Sequence, residues 1–505
     1  MNVRLLYPDR DADRDAEPPD GARELIADLD LAPVLEAMQP DRDLDRVCPA
    51  VLFRPLTDAG QVLWRQQVLT DALAQPDLIP FLFELAGTAL QRRRSVWLYG
   101  GRSADSRLTK ARYEIEALLP SLRELVRFAT DRLPSLRSEA LRQFCRRLRD
   151  DFGDGYLDEV AGVLAQLRFP DGLAARVRVE PTGLLGTPEL LPPPPRSWWQ
   201  RRFVPPGQVR FTLPERDEAG ARALGELRND ALAGLALTMD AAGAELAGFF
   251  AQLRWETGFY LGCLQLHRRL TASGVAICWP EPAPAGDELV VEGLSGLSLA
   301  VRDGAAPVPN GLAGPRVRLA VITGANQGGK TTFLRSVGCA QLLLQAGMFV
   351  PAVRYRSSLA STVHSHFRSA EDDAPGAGKL AEELDRMSRI VDRCRPGDLL
   401  LLNEPFSSTD EVQAAFIGSD ILDALLGHGV RVLLVTHFQR LALHYRGRPD
   451  ACFLRAERLS DGTRSHRLVP GAPEPTSHAL DIYRQAMGQD DEYPQGDEST
   501  EGVAS

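Results

Sequence analysis

A chain of 505 residues is too long for one hydrophobic core and points to two or three domains. With 44% apolar and 25% charged residues it reads as an ordinary globular chain; its seven scattered cysteines, none in a CxxC pair, indicate neither a disulfide framework nor a zinc site. A net charge of -10 argues against wrapping nucleic acid over the whole surface, and without an apolar leader or a run near the roughly 18 residues of a membrane helix the expected location is the cytoplasm, with no membrane partner.

Residues 1–21 form an acidic, proline-containing arm, expected to be poorly ordered or extended. From residue 22 to about 168, apolar residues recur at three- and four-residue intervals, as in VLWRQQVLTDALA and YEIEALLPSLRELVRFATDRL, which predicts helices. Within 91–150, fifteen Lys or Arg face seven Asp or Glu, either a phosphate-facing helical surface or a solvated face balanced by acidic neighbours. ARVRVEPTGLL and GQVRFTL read as short strands around a proline-rich stretch, in an insert spanning 176–215. The RSWWQRRF within it mixes residue types that stack on bases and meet phosphates, or it is a proline-bounded packing segment. A long helix pair is expected from Asp217, completing a helical domain over 22–279.

Beyond about Pro280 the texture changes to strands alternating with helices: VRLAVIT, DLLLLNEP and VRVLLVTHF are the strands. That spacing predicts an α/β domain over 280–488, a parallel sheet with helices on both faces, followed by a disordered acidic tail over 489–505.

GANQGGKT, which runs from Gly324 through Ala325, Asn326, Gln327, Gly328 and Gly329 to Lys330 and Thr331, fits G-x-x-x-x-G-K-[ST] between a strand and a helix. Its glycines let backbone N–H groups turn toward phosphate oxygens at a helix N-terminus, with Thr332 just behind. Lys330 reaches the outer phosphates and the Thr331 hydroxyl is suited to magnesium; ATP and Mg2+ are the expected cofactors. Only Lys110, Lys330 and Lys379 are lysines among 58 basic residues, so a lysine here signals a need for a compact ammonium. The buried strand LLLLNEP ends at Asn403, placed to orient the metal through water, and Glu404, placed to act as base and to face the metal. His437 ends the third strand, where it could sense a terminal phosphate or position the water. The expected catalytic set is therefore Glu404, His437 and Lys330, and the metal set Thr331, Asn403 and Glu404.

A transporter-type ATPase would carry a Leu-Ser-Gly-Gly-Gln signature between 332 and 398, and nothing like it lies there. TGANQGGKTTFLRSVGCAQLLLQAGMFVPA instead resembles the ATPase domain of the MutS family of DNA mismatch-repair proteins. VPNGL (308–312), EDDAPGAGKLAEEL (371–384), PTSHALDIYRQAMG and RPLTDAGQVLWRQQVLTDALAQPDL (54–78) extend the resemblance from about 45 to 488. It implies a P-loop NTPase domain behind a mostly helical core, a homodimer through the ATPase domain, and ATP-driven closure of a helical clamp on DNA.

Three departures matter. No phenylalanine is followed two residues later by Glu, as in the family's mismatch-reading wedge, so direct mismatch reading is not expected. The family's Ser-Thr in the interface loop is replaced by Gly378 and Lys379, either a loss or an alternative phosphate contact in trans by Lys379. Asn403 replaces the expected aspartate and brings no charge, which implies weaker metal binding and slow hydrolysis. Two functions remain open: a slow MutS-like ATPase that couples ATP to a dimer conformational change on DNA, and an ATP-switched protein-interaction module without DNA binding.

Overall fold

The computed structural model describes residues 1–96, 101, 103–153, 155–170, 172–181, 183, 186–191, 214, 216–284, 286, 289–314, 317–325, 327–367, 378–459 and 463–473. GQVRFTL, RSWWQRRF, Asn326, the first half of EDDAPGAGKLAEEL (371–377), PTSHALDIYRQAMG and the tail 489–505 lie outside the described residues.

The first half is helical, with helices Ala59–Ala74, Leu78–Arg94, Ala104–Arg132, Glu139–Phe152 and Tyr156–Gln166. Several start where a short polar side chain caps the first turn: Asp58 accepts from Gln61 N, Ser103 from Ser106 N and Ser138 from Leu141 N. The helix pair expected from Asp217 is one continuous helix of 55 residues, Glu218–Ala272. It contains no proline, and while Gly225, Gly234 and Gly248 face open space, others allow close approach. At Gly262 an added Cβ would stand 2.2 Å from Met38 O and 2.8 Å from Cys48 Sγ. By length and apolar content alone this helix could cross a membrane. In the fold its C-terminal half packs on the earlier helices, with Phe250, Leu253, Phe259 and Tyr260 fully buried. At the start of the 176–215 insert, Ala175–Arg176 pairs with Glu189–Leu190 as a two-residue antiparallel ribbon.

The N-terminal arm departs from expectation: Val3, Leu5 and Leu6 are fully buried. The cause is Glu256 on the long helix, whose Oε2 accepts from Leu5 N (2.7 Å) and Leu6 N (3.0 Å) and whose Oε1 accepts from Ala12 N (2.9 Å). Tyr260 donates to Leu5 O and Arg65 Nε to Leu6 O, so the strap is paired on both sides.

The second half holds a six-stranded sheet built from β1 (Leu319–Thr323), β2 (Val363–Phe367), β3 (Leu399–Asn403), β4 (Arg431–Val435), β5 (Ala451–Arg458) and β6 (Arg464–Pro470), in the order β6-β5-β1-β4-β3-β2. Every neighbour pair is parallel except β5–β6, so the expected parallel sheet is mixed at one edge. A second, mixed sheet of four strands, Glu281–Ala283, Arg354–Ser358, Leu289–Leu294 and Asn310–Gly314, lies in the same region. Alternate residues of the large sheet join different cores. Ala320, Ile322, Leu401, Leu433 and Val435 pack with Phe333, Leu334 and Val337 of helix Lys330–Gln345. Leu319, Val321, Leu400, Leu402, Val432 and Leu434 pack with Leu422 and Leu425 of helix Glu411–Gly427. Helices thus cover both faces, which is why these strands read as unbroken apolar runs. The first of these two clusters also contains Val3, Leu141 and Phe259, so the helical half and the sheet share one core.

Candidate functional site

Parallel register brings three strand ends to one edge: Ile322 pairs with Val435, and Val435 with Asn403. The loop from Gly324 to Gly329 leaves β1 at that edge and runs directly into helix Lys330–Gln345. Gly324 and Gly329 have φ of 113° and 90°, a left-handed region open to glycine. A Cβ on Gly329 would also meet His466 O at 2.9 Å.

Lys330 is the first residue of the helix; its Nζ donates to Gly324 O (2.6 Å) and Ala325 O (3.0 Å). Burial lowers its pKa, and the charge of Glu404 opposes that shift. Thr331 Oγ1 donates to Asn403 Oδ1 at 2.9 Å, joining the loop to the end of β3. Glu404 follows with φ of 53°, its N–H bonded to Val435 O at 2.8 Å. A left-handed conformation at a non-glycine residue costs about 1–2 kcal/mol and has to be held by its surroundings. His437 Nδ1 stands 3.9 Å from Glu404 Oε2, so His437 is brought to the carboxylate rather than to the loop.

Residues 327–332 with Asn403 and Glu404 line one wall of a cleft of about 780 Å3. Residues 305–308 with Leu299, Asp303, Asn310 and His466 line the rest. Gly324 and Ala325 sit behind the wall as acceptors for Lys330. Lys379 opens helix Lys379–Arg393 and is not part of this cleft.

Three features escaped the sequence reading. Asn310 Nδ2 donates to His466 O (3.0 Å) and Asn310 Oδ1 accepts from Leu468 N (2.6 Å), which ties the smaller sheet to the edge strand beside the loop. Arg464 Nη1 donates to Gln327 Oε1. No short-range pattern marks these pairs, which join residues more than a hundred positions apart. The third is a cluster of His364, Cys394 and Asp398, whose ligand-type atoms lie within 4.8 Å of one another. Asp398 already accepts from Thr362 N, Arg395 N and His364 Nε2, so the cluster acts as a strut near the N-terminal ends of β2 and β3.

A glycine-rich loop entering a helix N-terminus is a ready anion cradle, and here it sits at the strand-end edge of a two-sided sheet joined to a helical body. That combination defines the class: an α/β anion-cradle domain built onto a helical region. Two family models match, the MutS2 N-terminal domain over residues 57–273 and MutS domain V over 320–457. The chain is 34% identical over 175 residues to "Endonuclease MutS2" of Geobacillus kaustophilus, a match covering 34% of this chain and 22% of that protein. It is 30% identical over 169 residues to "Endonuclease MutS2" of Thermus thermophilus (33% and 23%), and 28% identical over 172 residues to "DNA mismatch repair protein MutS" of Thermotoga maritima (34% and 22%). The chain belongs to the MutS family, and its matched stretch spans under a quarter of the length of these relatives.

Proposed function

We propose that this chain is a slow, Mg2+-dependent P-loop ATPase in which ATP binding and hydrolysis drive a conformational change between two copies of the chain on DNA. The observation that carries the reading is the convergence of Lys330, Thr331, Asn403 and Glu404 on one cleft beside a glycine-rich loop. In this role the loop N–H groups and Lys330 hold the phosphates, and Glu404, oriented by His437, takes the proton of the attacking water. The oxygens of Thr331 and Asn403, 2.9 Å apart, with the Glu404 carboxylate nearby, form a donor set suited to a hard cation. Magnesium held there would neutralise phosphate charge, and the missing charge at Asn403 weakens its retention. Lys379 of one copy is assigned a phosphate contact in the other copy, and the cytoplasm is the assigned location.

DNA action rests on family membership and on the names of the relatives, among them "DNA mismatch repair protein MutS". The test is ATP turnover by the purified full chain with Mg2+, beside Glu404→Gln. Turnover should fall by about 10²-fold or more in the variant while ATP binding persists. A wild-type rate no higher than that of the variant would sink the ATPase reading. A gel-shift panel of duplex, mismatched, forked and four-way DNA decides the second half. Binding that weakens with salt and responds to ATP supports DNA action, whereas no binding at low salt favours the protein-interaction module.

A further inference from the structure

We infer that Glu383 is the positioning residue of the hydrolytic carboxylate, holding the loop that carries Glu404 in place from helix Lys379–Arg393 and making that loop follow the helix. The inference rests on the ATPase reading for its kinetic consequence, and on geometry alone for its structural one.

The loop after β3 carries backbone strain. Glu404 and Phe406 both have left-handed backbone, with φ of 53° and 63°, and neither is glycine. Conformations of this kind persist only where the surroundings over-determine them. The Glu404 N–H is tied to Val435 O and Thr409 N donates to Phe406 O within the loop, while Phe406 N and the Ser408 hydroxyl are held from another helix. Glu383 Oε1 accepts from Phe406 N at 2.5 Å, and Oε2 accepts from Ser408 Oγ at 2.9 Å. His366 Nε2 at the end of β2 lies 3.4 Å from the same Oε1. One carboxylate therefore clamps the backbone two residues beyond Glu404 and a side chain four residues beyond it. Burial of Glu383 pushes its pKa up, but the bonds from His366, Phe406 and Ser408 together outweigh that and bring it below the ordinary value, which keeps the group an acceptor on both oxygens.

The helix is itself anchored on the same face. Three residues on, Arg386 Nη1 donates to Phe367 O and Nη2 to Asp28 Oδ2, both at 3.0 Å. Asp28 also accepts from Ser365 Oγ at 2.7 Å. Met387 packs in the same apolar cluster as Phe406, so polar and apolar contacts grip the loop together. Residues i and i+3 share a helix face, so Arg386, bonded to Asp28 at the end of helix Ala22–Asp28, and Glu383, bonded to the loop, lie on one side of helix Lys379–Arg393.

The experiment compares Glu383→Ala and Glu383→Gln with Glu382→Ala, an exposed neighbour on the same helix, in the full chain. Hydrogen exchange over 404–408, measured without nucleotide, should accelerate at least about tenfold in Glu383→Ala, less in Glu383→Gln because an acceptor oxygen remains, and not at all in Glu382→Ala. The kcat for ATP should fall about 10- to 100-fold in Glu383→Ala, the cost typical of a misplaced reacting group, with nucleotide Kd within about twofold of wild type. Unchanged exchange over 404–408 in Glu383→Ala overturns the inference, as does a loss of nucleotide affinity that parallels the loss of kcat. Should Glu404→Gln leave turnover untouched, the ATPase reading fails by itself, and the exchange data still decide whether Glu383 holds the loop.

Discussion

In the helical region Glu256 gathers the N–H groups of Leu5, Leu6 and Ala12 and the amide of Gln252; in the α/β region Glu383 gathers a backbone N–H, a hydroxyl and an imidazole. Both carboxylates staple a distant segment to a helix. Their protonation tendencies nevertheless run in opposite directions. Glu256 is fully buried, and desolvation outweighs its four hydrogen bonds, so its pKa is raised. Around Glu383, with 16% of its side chain exposed, the hydrogen bonds win and the pKa is lowered. The difference teaches that depth of burial, rather than the number of donors, decides which state a stapling carboxylate prefers.

Breaking the staple in the helical region should have the largest effect. Glu256→Gln leaves one acceptor oxygen for four donors and turns an NH2 toward N–H groups, so about 3 kcal/mol of stability should be lost in denaturant titration. An unchanged midpoint would show that the N-terminal strap contributes nothing to the fold. Backbone substitutions sharpen the contrast next. Gly329→Ala places a Cβ against His466 O at positive φ and should cost about 1–2 kcal/mol together with nucleotide affinity. Gly225→Ala, in the exposed part of the long helix where the added Cβ meets nothing within 4 Å, should instead stabilise by about 0.5–1 kcal/mol. Melting temperatures that move the same way in both variants would refute the assignment of strain to the loop.

The pH dependence should separate the two carboxylates by sign. A raised folded pKa gives Glu256 a contribution that is complete below its ordinary value of 4.5 and lost as pH rises through the folded value. A lowered one gives Glu383 a contribution that is present above 4.5 and lost as pH falls through the folded value. The stability gap between wild type and Glu256→Gln should therefore narrow as pH rises above about 4.5, and the gap for Glu383→Gln should narrow as pH falls below it. Parallel slopes in the two titrations would break the comparison. The smallest effect is expected at Asn403→Asp, where restoring a charge beside Thr331 should lower the magnesium concentration for half-maximal turnover severalfold, about 1 kcal/mol or less. An unchanged magnesium titration would refute the role proposed for Asn403 in holding the metal.

Much of the candidate site was legible because its parts are local. GANQGGKT announces a strand-to-helix turn, and LLLLNEP announces a buried strand with two polar residues at its end. Parallel pairing then has few choices but to bring Thr331 and Asn403 to one edge. His437 was legible as a strand end, but its closeness to Glu404 required the turn that Glu404 makes at positive φ. The N-terminal strap was misread because its acidic, proline-containing composition is that of a solvated arm, while the group that buries it stands 251 residues from Leu5. Glu383 passed unnoticed for the same reason: within GKLAEELDRM it is an ordinary helix-forming residue, and its partners lie 17 to 25 positions away on other elements.

From the residues alone come the helical and strand periods, the glycine-rich loop, the lone lysine within it and the carboxylate at a strand end, since each depends on neighbours within a few positions. Only the tertiary structure decided that residues 1–12 fold onto Glu256, that one helix of 55 residues replaces a pair, and that Glu383 clamps the loop of Glu404. Those outcomes depend on which buried polar groups find partners across the chain, a balance of desolvation against hydrogen bonding that periodicity does not encode.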